Sequence, residues 1–290
     1  MILVTGGSGL LGRAILMEIP GSIGACRTCE VPMDLRDLES VRRVLDRVRP
    51  KVIIHAGAFS NADYCELNKS EASLVNQMAT EVIAREARRL NSFIVFVSSD
   101  YVFDGKSGSY TEEDVPNPVN HYGLTKLKAE KAIESETQEY AIVRPATIYG
   151  PWDARLKENF ALWILRNLAG GQTIRLVIDQ IASPTLNLGL ARMIHEITRR
   201  QIHGIIHTTD DVSISKYEFG IRLAKLFDLD VNRIIPVTMD SMGWIARRPK
   251  NSSLNVGKAK RVLKNGPMTL DKALELFKRE LVLSESTISS

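Results

Sequence analysis

The sequence predicts an α/β protein, with a doubly wound parallel sheet in the first half and a smaller α/β unit in the second. Three observations carry that expectation. A short apolar strand, Ile2-Leu3-Val4, runs into a glycine-rich turn and then an apolar helix. Apolar strands go on alternating with helices, at a spacing that suits right-handed crossovers between parallel strands covered on both faces. A buried-looking strand, Phe93 to Val97, then ends in Ser98-Ser99, and a later helix opens on Tyr122-Gly-Leu-Thr-Lys126.

Taken in order, the first turn reads Thr5-Gly6-Gly7-Ser8-Gly9-Leu10-Leu11-Gly12. Gly7, Gly9 and Gly12 fit a G-x-G-x-x-G spacing, and Gly6, Gly9 and Gly12 a G-x-x-G-x-x-G spacing. Such a turn lets backbone N–H groups approach a pyrophosphate at a helix N-terminus, where the dipole favours anions. Lying between strand and helix, it marks a Rossmann-type dinucleotide site with Gly6, Ser8, Gly9, Leu10, Leu11 and Gly12 as candidate residues. The second strand, Ser22 to Cys26, ends at Arg27, where an acidic residue for the ribose 2′-hydroxyl is usual. A guanidinium there favours a 2′-phosphate, so NADPH is expected ahead of NADH. Met33-Asp34-Leu35 leads to a helix from Leu38 to Val48 and strand Val52-Ile53-Ile54-His55. Ala56, Gly57 and Ala58 follow, small residues where a backbone passes close to a ligand. Helices from Ser70 to Leu90 precede the strand at Phe93.

After Lys126 the helix continues to about Glu136, and strand Tyr140 to Arg144 ends in Pro145-Ala-Thr-Ile-Tyr149-Gly150. From Trp152 the alternation is less regular. Helices are expected over Leu156 to Leu168, Gly189 to Arg200, Lys216 to Phe227 and Leu270 to Leu281, with strands at Ile174 to Ile178 and Ile205 to His207. The chain therefore divides into a dinucleotide-binding domain over 1–150 and a substrate domain over 151–283 that sends a strand or helix back to the first. A frayed tail over 284–290 is expected.

Composition bounds the function. A chain of 290 residues, 44% hydrophobic and 25% charged, is an ordinary globular protein able to bury a real core. A net charge of +4 with both signs intermixed argues against nucleic acid and suits an anionic small ligand. No apolar run approaches the roughly 18 residues of a membrane span. Met1 to Thr5 holds no basic region ahead of an apolar core, so a cytoplasmic protein is expected. Three cysteines suit a reducing compartment. Cys26-Arg-Thr-Cys29 lacks further zinc ligands and is expected to hold structural thiols rather than a metal or a redox centre. His203-x-x-x-His207 runs from a turn into a strand, where that spacing shares no face, so no metal site is expected.

The chemistry centres on the helix at Tyr122. Residues four apart on a helix share a face, so Tyr122 and Lys126 can present a phenol and an ammonium to one cleft. A nearby cation favours phenolate, and drawing a phenol from about 10 to 7 takes about 4 kcal/mol of differential interaction. Ser99, at the end of the preceding strand, can hold a carbonyl oxygen within reach of the phenol.

Thr5 to Gly12, Ser98-Ser-Asp-Tyr-Val-Phe-Asp-Gly105 and Tyr122 to Lys126 together resemble the extended short-chain dehydrogenase/reductase family, over nearly the whole chain. Asn61-Ala-Asp-Tyr-Cys-Glu66, Asp179-Gln-Ile-Ala-Ser-Pro-Thr185 and Arg248-Pro-Lys-Asn-Ser-Ser-Leu254 are most similar to segments of its dTDP-4-dehydrorhamnose reductases. The resemblance implies that Ser99 and Tyr122 contact the sugar C4 oxygen, and that Lys126 bonds the nicotinamide ribose and tunes Tyr122. It implies that Asp34 and Leu35 border the adenine, and that Asn76, Ser98, Pro145, Thr147 and Ile148 line the cofactor. Asp100, Tyr101, Gln180, Arg248 and Asn251 would meet a nucleotide-sugar substrate, reduced at C4 by NADPH. A homodimer is left open.

Related dehydratases carry Asp-Glu where this chain has Asp100-Tyr101, which disfavours dehydration. Arg144 to Tyr149 also lacks a Trp that many of these reductases carry, which bears on the choice of sugar and nucleotide. The chain further resembles the regulatory beta subunit of methionine adenosyltransferase, which keeps Tyr-x-x-x-Lys and binds NADP as a partner protein. A sugar-nucleotide epimerase is a third reading. Asp179-Gln180 with Ser183-Pro-Thr185 favours the reductase.

Overall fold

The computed structural model describes residues 1–151 and 158–288. Its first half runs β1 (Ile2–Thr5), α1 (Leu10–Glu18), β2 (Ile23–Cys26), β3 (Val31–Pro32), α2 (Leu38–Val48), β4 (Val52–His55), α3 (Ala62–Leu67) and α4 (Lys69–Ser73). A π-turn, Leu74–Met78, joins α4 to α5 (Ala79–Leu90). Then come β5 (Phe93–Val97), α6 (His121–Glu136), β6 (Tyr140–Arg144) and β7 (Ala146–Tyr149). The second half holds α7 (Phe160–Ala169), β8 (Ile174–Val177), β9 (Ile181–Ala182), β10 (Pro184–Leu186), α8 (Asn187–Arg200), β11 (Gly204–His207) and β12 (Ile214–Ser215). The remainder is α9 (Lys216–Leu226), β13 (Ile234–Val237), α10 (Gly257–Val262) and α11 (Leu270–Ile288).

Seven parallel strands form the central sheet, in the order β11-β6-β5-β4-β1-β2-β3. The order reverses at β1, which lies between β2 and β4, so a crevice opens at the carboxyl ends of β1 and β4. β5, Phe-Ile-Val-Phe-Val, is buried at every position because helices cover both faces. On one face α1, α8 and α10 bury Ile15, Leu190, Ile194 and Leu263 against Val95 and Val143. On the other, α2, α5 and α6 bury Leu45, Ile83 and Ile133 against Ile53, Ile94 and Ile142. A separate core gathers Ile164, Leu176, Phe219, Leu223 and Phe277 beneath α7, α9 and α11. Ser215 caps α9 with a full capping box through Glu218.

The second half returns α8, β11 and α10 to the central sheet, where the sequence left room for a returning strand or helix. Other expectations need correction. β3, β9 and β12 are two residues long, and β7, β10, β13, α3 and α10 were also not expected from the sequence. α11 runs to Ile288, so helix continues where a tail from Ser284 was expected. The expected start of α7 at Leu156, like Trp152, lies outside the described residues. Cys26 and Cys29 are joined in a disulfide, not held as thiols, with Cα atoms 4.9 Å apart. Cys65 is free and buried. No described helix is long and apolar enough to cross a membrane.

Candidate active site

The glycine turn is shaped by close backbone approach. A Cβ on Gly12 would lie 2.1 Å from the Gly6 carbonyl oxygen, and one on Gly6, at φ +70°, would lie 2.7 Å from Gly57 Cα. β1, α1 and the loop after β4 are thereby pressed together at the crevice. Gly9 begins α1 without a side-chain cap, which leaves the first N–H groups of that helix open to an anion. Ser98 Oγ is buried with no hydrogen-bond partner among the described residues. These features fit a dinucleotide diphosphate. Ser8 and Leu10 flank the turn half-buried, whereas the Leu11 side chain belongs to the core and offers only its backbone.

Around the turn the candidates divide by role. Arg27 is exposed at the end of β2. Asp34 receives both Nε and Nη2 of Arg36, whose hydrogen bond is the main cause holding its carboxyl below the usual range. Leu35 Cδ1 packs on Gly57, and Ala56 and Ala58 stand half-buried on either side of that glycine. Asn76, in the π-turn, accepts the Phe59 N–H at 2.8 Å and returns its amide to the Phe59 carbonyl and Thr125. It clamps the loop after β4, a use of a π-turn common near functional sites. The Pro145 carbonyl accepts the Asp100 N–H at 3.0 Å, and Thr147 adopts a left-handed φ of 32° beside Ile148. Thr5, His55 and Thr80 form a buried chain beneath the crevice, at 2.5 and 2.9 Å, that the sequence did not disclose.

The Ser99 hydroxyl accepts the Tyr101 N–H at 3.1 Å and donates to Asp100 Oδ1 at 3.0 Å. Tyr122 is the second residue of α6, which Asn120 caps by accepting the Gly123 N–H. Gly123 lets the helix close on the turn after β5, since a Cβ there would meet the Tyr101 carbonyl oxygen at 2.0 Å. Burial pushes the Tyr122 phenol well above its ordinary value, partly offset by the polar Ser99 hydroxyl nearby. Lys126 lies 4.1 Å from the Phe96 ring, and burial pulls its ammonium down to about 7. The expected lowering of Tyr122 by Lys126 is therefore reversed: desolvation opposes phenolate and ammonium alike. Tyr122 stands as a neutral acid. Burial lifts Asp100 to about 6 against hydrogen bonds from Ser252 and Ser99.

On the far side of Tyr122, Tyr101 lies edge-on to its ring at 5.8 Å and accepts a hydrogen bond from Gln180 Nε2 at 3.3 Å. Arg248 pairs with Asp63 at 2.9 Å and lies 5.1 Å over Trp244. Lys216 sits 5.2 Å from the same indole and 5.3 Å from Phe160, with no ion pair or hydrogen bond from its ammonium among the described residues. Asp100, Tyr101, Gln180 and Arg248 thus share one neighbourhood. Asn251 does not face it: its Oδ1 accepts from Ser253 and its amide packs on Gly108. Lys216, Trp244, Ser252 and Asp63 went unassigned in the sequence, although Asp63 lies within Asn61 to Glu66.

A glycine turn at the reversal point of a seven-stranded parallel sheet, with Ser99, Tyr122 and Lys126 along β5 and α6, has the architecture of the extended short-chain dehydrogenases/reductases. Residues 1–282 match the family model described as RmlD substrate binding domain, and the chain belongs to that family. It is 32% identical over 275 residues to methionine adenosyltransferase 2 subunit beta of Xenopus tropicalis, covering 90% of this chain and 81% of that one. It is 30% identical over 288 residues to dTDP-4-dehydrorhamnose reductase of Aggregatibacter actinomycetemcomitans, covering 94% and 97%. Among solved structures, dTDP-4-dehydrorhamnose reductase of Bacillus anthracis in complex with NADP superposes with a TM-score of 0.89 at 27% identity, over 96% of this chain and 98% of that one.

Proposed function

We propose that this chain reduces the C4 carbonyl of a nucleotide-linked deoxysugar, dTDP-4-dehydrorhamnose, using NADPH. The observation that carries the reading is geometric: the buried Tyr122 phenol and the Ser99 hydroxyl stand at the carboxyl end of β5, with Lys126 one turn along α6 and a glycine turn that fits a diphosphate. NADPH, held by the Gly6–Gly12 turn and Arg27, would supply the hydride. Ser99 orients the carbonyl oxygen, and Tyr122 gives that oxygen a proton as negative charge develops on it. A phenol kept protonated by burial suits this direction of reaction. Lys126, drawn down to about 7 by burial, would hydrogen-bond the nicotinamide ribose and stabilise the phenolate left behind. Tyr122→Phe should abolish oxidation of NADPH by the sugar nucleotide while the Kd for NADPH stays within about twofold of wild type. Unchanged turnover in that variant would refute the role.

A second reading has its own support. Identity to the methionine adenosyltransferase beta subunits is as high as to the reductase. In that reading the chain binds NADP and serves as a partner subunit. Failure to oxidise NADPH with the sugar nucleotide, together with co-purification of a methionine adenosyltransferase, would favour it.

A further inference from the structure

The Cys26–Cys29 disulfide closes a loop of two intervening residues, Arg27 and Thr28, both exposed. That loop ends β2 and carries the guanidinium placed at the 2′-phosphate. Its two sulfurs differ in access, since Cys26 is buried and Cys29 is half-exposed. Cys29 Sγ also backs the glycine turn: a Cβ built on Gly7 would lie 3.2 Å from it. The pair therefore touches both parts of the cofactor cradle, the phosphate turn and the ribose loop. Apart from the sulfur bridge, the loop is closed among the described residues by two long contacts, the Cys29 N–H to the Cys26 carbonyl at 3.4 Å and the Thr28 hydroxyl against Cys26 Sγ at 3.6 Å. The same carbonyl accepts the Met33 N–H at 3.0 Å, which anchors the Cys26 end but not Arg27. Breaking the bridge leaves Arg27 on a four-residue turn with little to hold it.

We propose that Cys26 and Cys29 form a thiol–disulfide exchange site, entered at Cys29 by a low-molecular-weight disulfide, whose oxidised state holds Arg27 in place for the 2′-phosphate. The Cys29 thiolate attacks one sulfur of the small disulfide, forming a mixed disulfide and expelling the first small thiolate. The Cys26 thiolate then attacks the Cys29 sulfur, forming the intramolecular bond and expelling the second. The two protein protons pass to the two departing thiolates. One small disulfide is reduced to two thiols as two protein thiols are oxidised. The oxidised loop is preorganised and loses less freedom on binding, so the bridge favours the phosphorylated cofactor selectively. NADH, with no 2′-phosphate for Arg27, is indifferent to it.

This inference rests on Arg27 recognising the 2′-phosphate, as in the proposed function. The test uses the full chain equilibrated with glutathione disulfide or with dithiothreitol. Free thiols are counted under denaturing conditions, and Kd values for NADPH and NADH are measured by calorimetry in both states. The oxidised protein should show one free thiol, that of Cys65, and the reduced protein all three. NADPH should bind about tenfold more tightly to the oxidised form, with the Kd for NADH unchanged. Cys26→Ser/Cys29→Ser should bind like the reduced form in both buffers. Three free thiols in both states, equal NADPH affinities, or an equal shift for both cofactors would each overturn the inference. Absence of NADPH binding in either state would count against the proposed function as well, whereas tight but redox-insensitive binding would sink this inference alone.

Discussion

Tyr122 and Lys126 mark both the reach and the limit of local reasoning at the scale of single residues. Their spacing on one helix face is legible, and so are Gly6, Gly9 and Gly12, because each is a pattern within a few residues. The sign of the charge coupling is not, because it depends on how deeply Phe96, Cys65 and Ser99 enclose both groups. Lys216, Trp244 and Asp63 went unassigned for a different reason: they converge on Arg248 from separate segments of the chain. An ammonium packed between two aromatic rings, with Asp100 acting on it only through space and no direct ion pair among the described residues, is costly until an anion reaches it. Burial already draws Lys216 down to about 8. Lys216→Met should therefore raise KM for the nucleotide sugar about tenfold or more with kcat nearly unchanged, as expected for loss of uniform substrate binding. Steady-state kinetics at saturating NADPH checks this, and a fall in kcat at constant KM would contradict it.

Element by element, the long periodic segments were visible in the sequence and the short ones were not. α2, with an Asp37 cap and a left-handed Arg49 at its end, matches its expected limits. Two-residue strands such as β3, β9 and β12 show no periodicity and exist only through their partners. One cross-element contact ties α6 to β6: Glu130 receives Nε and Nη2 of Arg144 at 2.9 and 2.7 Å, both side chains 2% exposed. Arg144 also lies over Phe103, and the Pro145 that follows it accepts the Asp100 N–H. Glu130→Ala strands a buried guanidinium and should cost about 3–5 kcal/mol in urea unfolding. Replacing both partners with apolar side chains should cost far less. A single-variant loss below about 1 kcal/mol would show that the pair is not the joint described.

For the whole molecule, the sequence located the dinucleotide unit and left room for a returning strand or helix but did not identify α8, β11 and α10, which reach the sheet through contacts far apart in sequence. Such interleaving predicts one cooperative unfolding transition, with a pH profile set by opposed buried groups. Burial pushes His55 and His207 down to about 3. Between pH 6.5 and 3 the unfolded chain binds their protons and the native one does not, so each removes up to about 1.4 kcal/mol per unit as pH falls. Asp100 and Asp210, raised by burial to about 6 and about 7, act in the opposite sense: the native state protonates first and gains stability as pH falls toward 3.8. The terms nearly cancel between about pH 6 and 4. Below that range the histidines are joined by the carboxyls held below their usual range: Asp104, at about 2 chiefly through the Tyr110 hydroxyl, and Asp34, Asp63, Glu66, Asp114, Glu196 and Glu218. Tm should stay level to about pH 4 and then fall steeply. Asp210→Asn should begin its decline near pH 6.5, and a variant profile parallel to wild type would contradict this balance.

The proposed reduction needs Tyr122, Ser99 and a bound NADPH acting together on a sugar carbonyl. The most direct measurement is transfer of deuterium from NADPH labelled at nicotinamide C4 to dTDP-4-dehydrorhamnose, followed by nuclear magnetic resonance of the sugar. The account predicts deuterium at sugar C4 in stoichiometric proportion to NADPH consumed, and none with Tyr122→Phe. An unlabelled sugar recovered intact from protein shown to bind NADPH would contradict it.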